Sequence, residues 1–285
     1  MLSTEQKEYI LSKAYVPEHI PDLMVPISKG EPSLADGYIY FSRDNWMIFV
    51  GYPLDHDFTA ENLESALSGA IKKYQPWHIW LIAPEIPPSL NQFCGERESD
   101  DYYRLELSGL EVKQHLLRLT RKVSGNLHVE KGRRISKEHK EVVTEFLEKE
   151  RLNPRIRELF LSMEGYVKQS ETSIVLNAID KKGELTAFYV VELSAREFAT
   201  YVVGCYSKKN YIPHASDLLA FEMINLAREN GKSYINLGLG VNDGIRRFKE
   251  KWGGAPFLRY EFCEYRPGGA HPKIIKMMKS LEERL

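Results

Sequence analysis

The stretch INLGLGVNDGIRRFKEKWGG, residues 235–254, carries the densest set of residues able to do chemistry. A short apolar strand, Ile235-Asn236-Leu237, runs into a loop spaced by Gly238 and Gly240. Without Cβ atoms the amides of such a loop can approach a carbonyl oxygen; equally, the glycines serve the splay between two diverging strands. Asn242 stands where it caps the next helix or touches a ligand. Arg246 and Lys249 bring cations, while Phe248 and Trp252, four apart, share one helix face and read as core anchors. By charge alone, Lys249 in its Lys-Glu-Lys run belongs to the solvated face of an amphipathic helix. That helix stops at Gly253-Gly254.

A second group lies just upstream in YSKKNYIPHASDLL, residues 206–219. Ser216 is the expected N-cap of a helix, and Asp217 falls in its first turn, where a carboxylate suits the helix dipole. Asp217 is also a candidate general base for an attacking amine. His214 titrates near neutral pH or is structural. Tyr206 and Tyr211 either donate a proton to a leaving group or line a groove. A basic set, Lys113, Arg118, Arg121, Lys122, Lys131, Arg133 and Arg134, joined by Arg246 and Arg247, reads as a solvated face or as a receiver of tRNA phosphates or an anionic lipid surface.

These residues need a scaffold, and the chain supplies one. Residues 1–15 read as an amphipathic helix. The proline-punctuated segment from Tyr15 to Pro32 reads as an extended packing arm. Strands follow at Tyr38–Phe41 and Trp46–Gly51, a helix at about Thr59–Tyr74, and strands at Trp77–Ala83 and Tyr102–Leu107. The helix after Gly109 places Val112, Leu116, Leu119 and Val123 on one side. SGNLHVEKGRR, residues 124–134, interrupts the periodicity and is the expected domain boundary. Beyond it come a helix after Ser136, another introduced by Pro154, and strands at Ser173–Asp180, Leu185–Leu193 and Ala199–Tyr206. A helix over Ser216–Asn230 ends at Gly231. The opening strand and helix, a strand at Phe257–Tyr265 and an amphipathic C-terminal helix complete the order.

The bulk numbers fit such a protein. Of 285 residues, 43% are hydrophobic and 28% charged, as in a globular protein with a real core. A net charge of −1 argues against a surface coated with basic charge for nucleic acid. No signal peptide and no membrane span are visible, so the cytoplasm is the expected compartment. Three widely spaced cysteines, Cys94, Cys205 and Cys263, lead to an expectation of neither a disulfide framework nor a zinc site.

The second-half order, α-α-β-β-β-α-β-α-β, resembles the GNAT acyltransferase superfamily. There the last helix follows N-x(6)-Y-E-K-x-G-F. Here Asn242 lies eleven residues before Gly253, Glu250-Lys251 take the E-K positions, and Lys249 takes that of the tyrosine, preceded by Phe248. Phe248-Lys249-Glu250-Lys251-Trp252-Gly253 and HASDLLAFEMINLARENGKSYINLGLG resemble the Fem-type branch, tandem-GNAT aminoacyltransferases that use aminoacyl-tRNA. They are equally similar to the C-terminal domain of lysylphosphatidylglycerol synthases. The similarity covers roughly residues 130–265; the first half shares element order alone.

The resemblance implies a mixed-sheet α/β fold of two similar GNAT-like domains side by side, residues 1–126 and 127–285. It implies an acyl- or aminoacyltransferase acting by direct attack, without metal. Lys249 would contact a phosphate or neutralise the oxyanion, with Asp217 or Tyr206 moving the proton. Gly238, Gly240, Asn242, Phe248, Tyr211, His214 and Arg246 would bind substrate. Ordinary GNAT proteins hold coenzyme A pyrophosphate on an R-x-x-G-x-G/A loop at a helix N-terminus. This chain reads KKNYIPHASDLL there, with no glycine between Gly204 and Gly231. The expected donor is therefore aminoacyl-tRNA rather than acyl-CoA. Two other readings stay open: a non-catalytic binding module, and an acyl-CoA transferase with an altered phosphate loop.

Overall fold

A computed structural model describes residues 2–149 and 154–267. In chain order, α1 (Thr4–Lys13) is closed by a capping box between Ser3 and Gln6, and α2 (Pro21–Ser28) follows a 3₁₀ turn at Pro17–His19. Next come β1 (Glu31–Ala35), β2 (Tyr38–Arg43), β3 (Trp46–Val50), α3 (Ala60–Tyr74), β4 (His78–Ala83) and β5 (Cys94–Glu106). Then follow α4 (Gln114–Val123), β6 (Leu127–Gly132), α5 (Lys137–Lys149), α6 (Pro154–Gln169), β7 (Ile174–Asp180), β8 (Leu185–Glu192) and β9 (Phe198–Tyr206). Last are α7 (Ala215–Glu229), β10 (Tyr234–Leu239), α8 (Asp243–Lys251) and β11 (Ala255–Tyr265). The helix expected at the C-terminal tail lies outside the described residues.

The chain divides into two compact units. One holds residues 30–99 and the chain from 259 onward, the other residues 2–29 and 100–258. The first is the smaller. Its strands β1, β2 and β3 run antiparallel, β3 and β4 parallel, and β4 pairs antiparallel with residues 261–265 of β11. The amphipathic face of α3 (Leu63, Ala66, Leu67, Ala70) packs on Tyr40, Phe49, Ile79 and Leu81. Asp36 and Gly37, both with positive φ, make the two-residue turn that joins β1 to β2.

The larger unit carries the residues singled out in 206–254. Its strands β6, β7, β8 and β9 form an antiparallel run; β10 adds to β9 in parallel, and β5 pairs antiparallel with β10. Both sheet faces are covered. One core gathers α4, α7 and Trp252; the other gathers α5, α6 and the N-terminal segment through Ala14, Ile20 and Leu23. Every residue of β8 is consequently buried.

Four expectations are corrected. The 15–32 segment is not an extended arm: Pro21 at the first helical position pre-sets φ, and α2 forms around it despite Pro26. The break expected at 126/127 falls inside the larger unit, because LHVEKG is a strand paired with β7, and α4 packs on α7. The units also exchange segments, residues 2–29 joining the later part of the chain and the end of β11 the earlier. Finally, Cys94 and Cys263 are joined as a disulfide; their Cα atoms stand 5.4 Å apart, a proximity that 169 residues of separation conceal in the sequence. Cys205 is free and buried.

Candidate functional site

The parallel pairing of β10 with β9 ends at Asn236 and Thr200, and the register of β10 on β5 shifts between Asn236 and Leu239. Beyond that point β10 leaves β9, opening a fork. Gly238 makes the bend at φ +72°, a conformation that a side chain would strain. The loop that follows is tightly self-bonded. The Gly238 amide donates to Asn236 Oδ1 at 2.9 Å, the Gly240 amide to the Asp101 carbonyl at 3.1 Å, and the Val241 amide to Asp100 Oδ2 at 2.7 Å. The amides of Gly238 and Gly240, expected as free donors for a carbonyl oxygen, are therefore engaged within the loop. Asn242 caps α8, its Oδ1 accepting from the Ile245 amide at 3.0 Å. Arg246 reaches back to Asp100 at 3.6 Å and to Asp243 at 3.5 Å.

Lys249 is not on a solvated face. It is 5% exposed, with Nζ donating to the Leu239 carbonyl at 2.5 Å and lying 5.6 Å from the centre of the Tyr103 ring. Burial pushes its pKa down to about 7, against the opposing charge of Asp100. An amine of this kind exists near neutral pH as a mixture of free base and ammonium, as acid–base chemistry requires. Phe248 is partly buried against the same core, and Trp252 is buried.

His214, not Ser216, occupies the N-cap position of α7, in the left-handed region at φ 70° and without a side-chain cap bond; Ser216 lies inside the helix. Asp217 is buried. It accepts from His214 Nδ1 at 2.9 Å, Lys251 Nζ at 2.6 Å and Trp252 Nε1 at 3.0 Å. Burial raises its pKa, but the bonds from Lys251, His214 and Trp252 together outweigh that and hold the carboxyl below the usual aspartate value. So stabilised an anion is a poor proton acceptor near pH 7, and the geometry makes Asp217 an anchor. Tyr206 and Tyr211 are exposed and meet edge to face at 5.7 Å.

Lys113, at the N-cap of α4, and Arg118, Arg121 and Lys122 of α4 are exposed, and Lys131 pairs with Glu229 at 2.7 Å. A groove of about 320 Å³ on α5, between Lys137 and Glu148, contains none of the candidate residues. Among the described residues no three His, Cys, Asp or Glu side chains converge as a metal site. Asp100, Tyr103 and the Leu239 carbonyl, which surround Lys249 or the loop, escaped the sequence reading. The Asp100-Asp101 pair ahead of an alternating strand was the available signal.

The residues at the start of α7 do not suit a coenzyme A pyrophosphate. Pro213 lacks an amide donor, His214 places a side chain where a glycine would leave room, and the Ala215 amide already donates to the Ile212 carbonyl at 3.3 Å. The buried Asp217 carboxylate puts a fixed negative charge in the first turn.

No family model matches the chain, and no curated protein matches it. Solved structures do. The fold resembles that of the C-terminal domain of a putative lysylphosphatidylglycerol synthetase from Agrobacterium fabrum, at 14% identity and TM-score 0.58, covering 97% of this chain and 95% of that one. FemX is similar at 10% identity and TM-score 0.59, covering 93% and 96%. A tandem GNAT protein from the clavulanic acid biosynthesis pathway is similar at 10% identity and TM-score 0.56, covering 94% and 97%. The mixed α/β fold is thus of the tandem GNAT kind.

Proposed function

We propose that the chain is an acyltransferase whose reaction centre lies in the larger unit at the β9/β10 fork. The observation that carries this reading is Lys249, a buried amine held at the end of β10 with its pKa near 7. An acceptor amine or hydroxyl attacks the carbonyl carbon of an activated acyl ester. Lys249, as ammonium, steadies the oxygen on which charge develops. As the bond to the leaving oxygen breaks, the Lys249 ammonium gives that oxygen a proton, and the free amine so formed takes the proton from the nucleophile, which restores the ammonium. Asp217 takes no proton; it fixes α7 against α8 and so positions Lys249.

The start of α7 disfavours coenzyme A, which supports an aminoacyl ester such as aminoacyl-tRNA as the donor. The exposed cations of α4 are then candidates for tRNA phosphates or an anionic lipid surface. Tyr206, Tyr211, His214 and Arg246 are candidate contacts to the substrate. The test is transfer of a labelled amino acid from aminoacyl-tRNA to a panel of amine and hydroxyl acceptors. Lys249→Ala should lose at least about a hundredfold in rate with the fold intact. Wild-type rates in that variant sink the site assignment. Salt-dependent binding of aminoacyl-tRNA without transfer to any acceptor would favour a binding module. Thermal stabilisation by acetyl-CoA would favour an ordinary acyl-CoA enzyme.

A further inference from the structure

Lys249 lies on one face of the larger unit's sheet, with Tyr103. The other face of the same fork holds a polar group that the transfer step does not use. Asn236 is the Cα partner of Thr200 on β9 and of Arg104 on β5, and Leu239 that of Tyr102. Strand alternation puts Thr200, Asn236, Tyr102 and Arg104 on one face. There the N-terminal segment covers them, and Asn236 Nδ2 donates to the Tyr15 carbonyl at 3.5 Å.

Two features of this face point to a ligand contact. Thr200 is 1% exposed, and its buried hydroxyl has no hydrogen-bond partner among the described residues, although such groups are normally satisfied. Glu18, from the 3₁₀ turn, accepts a bond from the Tyr102 hydroxyl at 2.7 Å, and among the described residues no cation pairs with it. Arg104 lies 4.0 Å over the Tyr234 ring and pairs with Glu106, while Lys7 pairs with Asp22 at 2.8 Å. Burial without a counter-charge pushes the Glu18 carboxyl above its ordinary range. Glu18 keeps partial exposure, which leaves it an approach. The other buried carboxylate of this face, Glu192, has no such gap: Tyr166, Ser170, Thr172 and the amides of Leu193 and Ser194 all donate to it.

We propose that Glu18, held by Tyr102, is the anionic contact for a primary ammonium group on the molecule received at the fork, with the Thr200 hydroxyl as a second contact. The assignment rests on the fork being the transferase's substrate site. It makes Glu18 a specificity residue that selects amino-bearing acyl groups over neutral ones, because a neutral group would leave the buried carboxyl unpaired.

The test is direct binding, by calorimetry on the full chain, of four esters. These are L-lysine methyl ester, norleucine methyl ester, and the Nα-acetyl derivatives of both. The three esters carrying an ammonium report whether it is the α- or the side-chain group. At least one of them should bind about tenfold or more tightly than neutral Nα-acetyl-norleucine methyl ester. In Glu18→Gln that discrimination should vanish, and in Glu18→Asp part of it should return. Thr200→Val should weaken the favoured ester by a smaller factor, with an unchanged melting temperature. Equal binding of charged and neutral esters, binding of none at 10-millimolar scale (~10 mM), or full discrimination in Glu18→Gln overturns the proposal. Lys249→Ala run in parallel separates the two readings. Discrimination that persists there without transfer supports the Glu18 site together with the Lys249 role. Transfer at wild-type rate in Lys249→Ala with discrimination intact removes the Lys249 role alone.

Discussion

The indole of Trp252 donates to the carboxylate of Asp217 at 3.0 Å, tying the end of α8 to the first turn of α7. Lys251 adds a second bond from the same turn at 2.6 Å. The residue expected as a base is therefore what holds the helix of Lys249 in place.

Asp217→Ala leaves a buried indole N–H and the Lys251 ammonium without their acceptor. A loss of about 2–4 kcal/mol is expected, read from the urea midpoint. Because the folded pKa of Asp217 is lowered, its contribution is present above the ordinary aspartate value of 3.8 and fades as pH falls below it through the folded value. Asp217→Asn should flatten that part of the acid limb.

At Lys249 the sign is the same but the cause is opposite: burial penalises the charged form instead of hydrogen bonds favouring it. Its folded pKa, about 7, lies below the ordinary 10.5, so between those values the unfolded chain binds the extra proton and stability rises with pH. Below about pH 7 both states are protonated, and the burial penalty is fully present. Lys249→Met should remove the rise, measured by denaturant titrations at several pH values across that window. A rise that survives the substitution would contradict the assignment.

Gly254 offers a steric check on the same helix. A Cβ there would lie 2.7 Å from Leu237 Cδ1 and 3.0 Å from the Lys249 carbonyl oxygen. Gly254→Ala is expected to cost about 1–3 kcal/mol and to lower transfer together with stability. Gly69→Ala, likewise without a positive φ and with no neighbouring atom within 4 Å, serves as the control without a clash.

Reduction of the Cys94–Cys263 disulfide should lower the melting temperature, at about 2–4 kcal/mol for a bridge closing so long a loop. Cys94→Ala should behave like the reduced protein and be insensitive to reductant. A peptide linking the two cysteines in a non-reducing digest is the direct check.

Periodic elements were readable from the sequence: the apolar stripe of α3, the strand runs of β7 and β9, and Asn242 as the cap of α8 follow from local patterns. What escaped depends on distant partners. In β1 the strand signal is masked by Pro32, which an edge strand tolerates because its N–H is not needed. In β6, LHVEKG looks like a polar break and becomes a strand by pairing with β7. The site divides the same way. Lys249 stands out by its place in the helix, but its burial depends on Tyr103 and Leu239, and the engagement of Asp217 depends on Trp252, thirty-five residues away. Glu18 carries no local signal; its partner Tyr102 is eighty-four residues downstream.

The bridge between Cys94 and Cys263 also has a topological meaning. It closes residues 94–263 into a covalent ring, and that ring includes all of the larger unit except residues 2–29. One cut by a protease inside the ring opens it and releases nothing. A cut between residues 30 and 93 severs the segment that carries Glu18 from the ring that carries Lys249. Glu18 and Lys249 would then be held together by packing alone, in a molecule whose ring stays closed.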